Sequence, residues 1–202
     1  MAIDAVIFDF GGVLMDWNPD YLYRKLIPDP AERRQFLTEI CGPEWVEKQD
    51  RGRSWDEAVA ELAAIHPDKA PLIEAFRDRW IEMLAGPIAP GVALVRRLHI
   101  ANVPLYGLTN WCSETFKIAR PQMPYLDWLR DTVVSGEVRL AKPDPRIFRL
   151  LFERNGMVPE RTAFIDDHTP NIEAAKALGL HAILYKEADS TEAALRQLGL
   201  RF

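Results

Sequence analysis

The stretch AVIFDFGGVLMDWNP, residues 5–19, decides the fold. An apolar run ends on a carboxylate, Asp9, and Phe10, Gly11 and Gly12 follow at once. Four more short apolar runs recur along the chain: VPLYGLTN at 103–110, DTVVSGEV at 131–138, TAFIDD at 162–167 and HAILYK at 181–186. Each is too short for a helix and too continuously apolar for a half-exposed strand, so each reads as a strand buried on both faces. Helical patterns follow most of them. Strands alternating with helices predict an α/β fold, a parallel sheet covered by helices on both sides.

Helix starts are marked at Asp144 with Pro145, opening DPRIFRLLFERNG, and at Thr169 with Pro170, opening TPNIEAAKALG. Proline fits the first helical turn, and the glycines that close both segments, Gly156 and Gly179, suit helix ends. Between residues 18 and 85 no strand-like run occurs. Asp29 with Pro30 precedes AERRQFLTEICG, and the capping box from Ser54 to Glu57 precedes AVAELAAI. A segment of that length is too long for a loop, so it predicts a helical cap inserted after the first strand. The expected organisation is a core of residues 1–17 and 86–202 with a cap of residues 18–85.

Composition bounds the function. The 202 residues are 48% hydrophobic and 27% charged, enough to bury a sizeable core, and the formal charge of −5 carries no basic run of the kind that binds nucleic acid. Two cysteines, Cys41 and Cys112, lack the spacing of a zinc site or a disulfide framework and read as buried thiols. No window approaches a membrane span and the N-terminal residues lack a secretory pattern, so the expected address is the cytoplasm, with neither nucleic acid nor membrane as partner.

Polar residues gather where the strands stop. Asp9 ends the first run, Thr109 and Asn110 the second, Asp166 and Asp167 the fourth, and Lys142 stands just before the helix start at Asp144. Singly, each is an ordinary turn or cap residue. Together they fall at the carboxyl ends of parallel strands, where open α/β sheets bind their ligands.

FDFGGVL, GLTN, AKPDPRIF and FIDDHTPNIEAAKALG, in this order and on these elements, resemble the four motifs of the haloacid dehalogenase superfamily. The resemblance implies a Rossmann-like core with an inserted helical cap, in agreement with the reading of residues 18–85. It also implies Asp9 as a nucleophile that forms an aspartyl intermediate, Lys142 as its charge balance, and Thr109 with the amides of Phe10, Gly11 and Asn110 as donors to phosphate oxygens. A magnesium ion would take Asp9, the Gly11 carbonyl, Asp166 and Asp167 as direct or water-mediated ligands. Asn171 is placed to orient Asp167 or Lys142.

Gly11 departs from the pattern. Many phosphatases of this superfamily carry a second Asp there, two residues after the nucleophile, as general acid and base, a role worth ~10²–10⁴-fold. The sequence is most similar to a subset with the same glycine that includes bacterial glucose-1-phosphate phosphatases. Its substrates are expected to be small phosphorylated metabolites with good leaving groups, such as an anomeric sugar phosphate; His168 or a cap residue is the candidate replacement for the acid. Trp17 and Trp45 are the cap-side candidates to face substrate, while Trp55 and Trp80 read as packing. Three activities stay open: a magnesium-dependent phosphatase, a dehalogenase of small 2-haloacids, and a non-catalytic phosphate-binding protein.

Overall fold

The five apolar runs form one parallel sheet. In the computed structural model, which describes residues 3–202, β1 (Ala5–Phe8), β4 (Leu105–Thr109), β5 (Asp131–Val134), β6 (Thr162–Asp166) and β7 (His181–Leu184) lie in the order β5-β4-β1-β6-β7. Every pairing within it is parallel, with Phe8 in register with Gly107 on one side and Ile165 on the other. The chain leaves β1 toward β4 and β5 and later returns to β6 and β7, so the order reverses at β1. That reversal opens a crevice beyond the carboxyl end of β1.

Alternation along β1 feeds two cores. Val6 and Phe8 join one hydrophobic cluster and Ala5 and Ile7 the other, on the opposite face of the sheet. The second cluster is closed by α9 (Pro145–Asn155) and α10 (Thr169–Ala177), which contribute Phe148, Leu151 and Ile172. Asp144 caps α9 by accepting from the Arg146 amide at 2.9 Å, and Gly156 ends it in the left-handed conformation. The first cluster runs without interruption from β1 into the helices inserted after it.

Those helices are α1 (Asp20–Leu26), α2 (Pro30–Gln35), α3 (Pro43–Asp50), α4 (Trp55–Ile65) and α5 (Ala70–Asp78), with one π-helical turn at Phe36–Ile40 prolonging α2; α6 (Ala89–Ile100) follows the insert. Asp29 caps α2 through the amides of Ala31 and Glu32 at 2.9 and 2.8 Å. Ser54 caps α4 through the Glu57 amide at 3.2 Å. Trp45, Trp55 and Phe76 pack ring against ring at 5.2–5.3 Å between centroids, an aromatic cluster within that same core.

Two features depart from the sequence reading. Met15–Trp17 (β2) and Leu84–Pro87 (β3) form an antiparallel ribbon that frames the insert at its entry and exit. Gly86, at φ 114°, and Pro87 hide the second strand from any strand pattern. The run 131–138 is strand only to Val134; Ser135–Val138 turn into the short helix α8. The expected junctions at 17/18 and 85/86 fall at this ribbon. No helix is long and apolar enough to cross a membrane among the described residues.

Candidate active site

Asp9 stands one residue beyond β1, its amide donating to the Ile165 carbonyl at 2.9 Å. The chain then turns tightly, with the Phe10 carbonyl accepting from the amides of Val13, Leu14 and Met15. Gly12 makes this turn possible. It sits at φ 69°, and a Cβ there would stand 2.0 Å from Asp167 Oδ2. Gly11 is under neither constraint: its φ lies outside the left-handed region and a Cβ would meet nothing within 4 Å.

Neighbouring strands bring the other polar groups to Asp9. Lys142, buried, places Nζ 2.9 Å from Asp9 Oδ1 and 2.6 Å from Asp166 Oδ2. Its loop is tied to the end of β4 by a reciprocal pair: Asn110 Nδ2 donates to the Lys142 carbonyl at 2.9 Å, and the Lys142 amide to Asn110 Oδ1 at 2.8 Å. Asn171 Nδ2, from the first turn of α10, donates to both Asp166 oxygens at 3.1 and 3.0 Å. It therefore orients Asp166, not the expected Asp167 or Lys142. The Asp166 Oδ1 atom also receives the His168 amide at 2.8 Å, while the His168 side chain lies exposed at the helix start.

The electrostatics follow from burial and pairing. Burial drives the Asp9 carboxyl well above its ordinary range against the pull of Lys142, with Asp166 pushing further in the same direction. Burial also opposes charge on Asp166, but Lys142 and the donors around it hold that carboxyl below its ordinary value. For Lys142 desolvation is outweighed by the two facing carboxylates, which keep the ammonium charged. Burial and the Asp166 charge raise the more exposed Asp167.

Carboxylate oxygens of Asp9, Asp166 and Asp167 all lie within 4.8 Å of one another. A hard divalent cation takes such an all-oxygen set, and only one ammonium faces the three acids. Thr109 Oγ1, fully buried at the end of β4, has no hydrogen-bond partner among the described residues. A buried hydroxyl in that state is set for an incoming acceptor.

Above Gly11 a cavity of about 100 Å³ is lined by Trp17, Asp50, Trp55, Trp80, Asn110 and Trp111, among others. The indole Nε1 atoms of Trp17, Trp55 and Trp111 are buried without partners. Residues 3–179 match the family described as haloacid dehalogenase-like hydrolase.

The chain belongs to this family of hydrolases.

The hydrolase is 28% identical over 196 residues to the sesquiterpene phosphatase astK of Aspergillus oryzae, covering 96% of this chain and 95% of that one. It is 26% identical over 204 residues to a phosphorylated carbohydrates phosphatase of Thermotoga maritima, covering 90% and 84%. A haloacid dehalogenase family enzyme of Bacteroides thetaiotaomicron, solved with magnesium and inorganic phosphate, shares 25% identity and a TM-score of 0.70 over 92% of this chain and 95% of that one.

Of the residues expected at the site of the hydrolase, Asp9, Lys142, Asp166, Asp167 and Asn110 are brought together by the contacts above, and Thr109 ends the adjacent strand. The Phe10 amide, expected to face phosphate, donates to Asp9 Oδ1 at 2.6 Å, and its ring is buried beside Phe116. Trp17 lines the cavity. Trp45 packs instead in the aromatic cluster of the insert, while Trp55 and Trp80, read from sequence as packing, reach the cavity wall. The segment EKQDRGRSWDE, residues 47–57, which holds Asp50, reads from sequence as a polar loop facing the site or a solvated hinge, and Asp50 lines the cavity; Trp111 carries no such reading. Trp111 had a signal: it directly follows GLTN, and its amide is fixed by Ser135 Oγ at 2.9 Å.

Proposed function

We propose that this hydrolase is a magnesium-dependent phosphatase of a small phosphorylated metabolite, acting in the cytoplasm through an aspartyl phosphate on Asp9. One observation carries the reading: three carboxylates lie within 4.8 Å, two of them buried against one lysine, beside a threonine hydroxyl without a partner among the described residues. Such a cluster is costly to bury unless a cation and an anion complete it.

In this scheme Asp9 attacks phosphorus and the bond to the leaving oxygen breaks. Lys142 neutralises Asp9 and the incoming phosphoryl group, and Thr109 Oγ1 with the amides of Gly11 and Asn110 donates to phosphoryl oxygens. Asp166, oriented by Asn171, and Asp167 would hold magnesium together with Asp9 and the Gly11 carbonyl; the ion would neutralise charge on the phosphoryl group. The relatives named as phosphatases and the related structure holding magnesium and phosphate support the same chemistry. A dehalogenase acting on carbon would have no use for this cation-binding set.

The finer reading is a sugar phosphate with the phosphate on the anomeric carbon, as in the glucose-1-phosphate phosphatase-like subset. The cavity favours a compact body with apolar faces, because four indole side chains line it, with Asn110 and Thr115 as polar neighbours. Assay of the purified chain with p-nitrophenyl phosphate and a panel of hexose phosphates tests the proposal. Turnover that requires magnesium, stops with chelator and is lost in Asp9→Asn is expected. Halide release from 2-chloropropionate, or normal turnover by folded Asp9→Asn, would overturn it.

A further inference from the structure

Gly11 leaves the site without a proton donor two residues after Asp9, yet the space such a side chain would fill is open. The wall of that space carries one carboxyl. Asp50, the last residue of α3, lines the cavity together with Gly11, Asn110 and Trp111, and none of the other lining residues is an acid or a base. Resting on the phosphatase reading above, we infer that Asp50 is the catalytic residue that exchanges the proton Gly11 cannot. As the bond from Asp9 to phosphorus forms and the ester oxygen leaves, the Asp50 carboxyl gives that oxygen its proton and an alcohol departs. Water then attacks the aspartyl phosphate, Asp50 takes a proton from it, the Asp9–phosphorus bond breaks, and inorganic phosphate leaves with Asp50 again protonated.

The environment of Asp50 fits the task. No cation pairs with it among the described residues: its neighbours Arg51 and Arg53 are committed to Glu47 and Glu61, both at 2.7 Å. Burial pushes its carboxyl up to about 7, the Cys112 amide pulling down and Glu47, on the same helix, adding to the rise. The other titratable groups around it are the Cys112 thiol, itself raised by burial, and Glu114, which accepts from the Trp55 amide at 3.2 Å. An acid that changes protonation state near neutrality is the kind that serves as donor in one half-reaction and acceptor in the next. The end of α3 is also held firmly, with Gln49 donating to the Trp45 carbonyl at 2.6 Å and accepting from Arg53 at 2.8 Å.

The test is a leaving-group series of p-nitrophenyl, phenyl and glycerol phosphates on the full chain with magnesium, for wild type, Asp50→Asn and Asp50→Asn combined with Gly11→Asp. Asparagine keeps the size of Asp50 and an acceptor for the Cys112 amide, so the fold is expected to survive. In Asp50→Asn, first-turnover release of p-nitrophenolate should be unchanged, while release of glycerol should fall ~10²–10⁴-fold, steepening the series. Steady-state turnover of p-nitrophenyl phosphate should fall behind a burst, and the loss of wild-type glycerol phosphate activity above pH ~7 should disappear. Adding Gly11→Asp to Asp50→Asn should restore the glycerol phosphate rate.

A wild-type series as steep as that of Asp50→Asn would overturn the inference. So would an Asp50→Asn effect confined to KM, or equal losses for all three esters in the first turnover. These results leave the phosphatase reading standing; turnover of no phosphate ester at all would bring down both.

Discussion

The charged floor at the strand ends and the wall of the neighbouring cavity are built on opposite principles. On the floor, Asp9, Lys142, Asp166 and Asn171 lock one another at 2.6–3.1 Å, and each is held by an element of the sheet or its helices. On the wall, Trp17, Trp55 and Trp111 keep buried N–H donors without partners, and Asp50 has no cation. The floor is organised before any ligand arrives; the wall is completed by one. Pre-set charge serves chemistry common to many substrates, and unpaired donors serve discrimination, because a wrong ligand leaves them desolvated and empty.

The strongest way to break this comparison is to remove the lysine. Lys142→Met keeps the volume but leaves two buried acids facing one another, and removal of one member of a buried pair costs ~3–5 kcal/mol. Urea unfolding at neutral pH without magnesium should show a loss of that size, partly recovered on adding the ion; an unchanged midpoint would mean that the floor is not held by charge.

Thr109→Val comes next. Since its hydroxyl has no partner, the melting temperature should hold or rise, while inorganic phosphate should inhibit less well by the ~1.5–3 kcal/mol of a hydrogen bond to a charged group. A stability loss without weaker phosphate inhibition would place the hydroxyl in the fold and not in the site.

Asp50→Asn sharpens the contrast by a smaller amount, through stability against pH. The folded-state value of about 7 lies above the ordinary 3.8, so the folded state binds the proton more tightly than the unfolded one. Below pH ~4 both states are protonated and the variant should match the wild type. As pH rises through ~7 the wild type loses stability that the variant keeps. Melting curves at pH 4 and pH 8.5 should therefore coincide and then separate, with the variant higher at pH 8.5.

The smallest effect is expected from Trp111→Phe, which deletes an unpartnered donor from the wall. Stability should change little, and KM for the best substrate should rise with kcat nearly constant, as for a contact made equally in ground and transition states. A fall in kcat would move Trp111 from the wall to the chemistry.

What was legible in the sequence divides along the same line. The five strands, and the acids, hydroxyl and lysine at their ends, were readable because a buried strand announces itself locally and parallel topology fixes where its end must be. Asp50 was legible as part of a polar segment near the site, but not as the acid that lines the cavity. It ends an amphipathic helix, and only the docking of α3 beside α8 and the start of α7 (Ser113–Ala119) turns it toward Gly11 rather than solvent. The same limit applies to the tryptophans: of the two expected to face substrate, Trp17 lines the cavity and Trp45 does not. Trp45 and Trp55 both lie on buried helix faces, and which of them reaches the cavity depends on how α3 and α4 cross, which no periodicity encodes. Asn171 was placed at the site but assigned the wrong partner, because spacing sets its helix turn and not which of two adjacent carboxylates it meets.

The uninterrupted hydrophobic cluster that joins β1 to the inserted helices has a consequence for how such a protein can diversify. Tyr23, Phe36, Trp55 and Phe76 share one core with Val6, Phe8, Leu14 and Met15, so the insert has no separate interior to carry with it. Exchanging the whole segment for that of a relative would cut through this shared core. The heritable route to a new substrate then runs through single substitutions on the cavity wall, each judged against a core that the two parts hold in common.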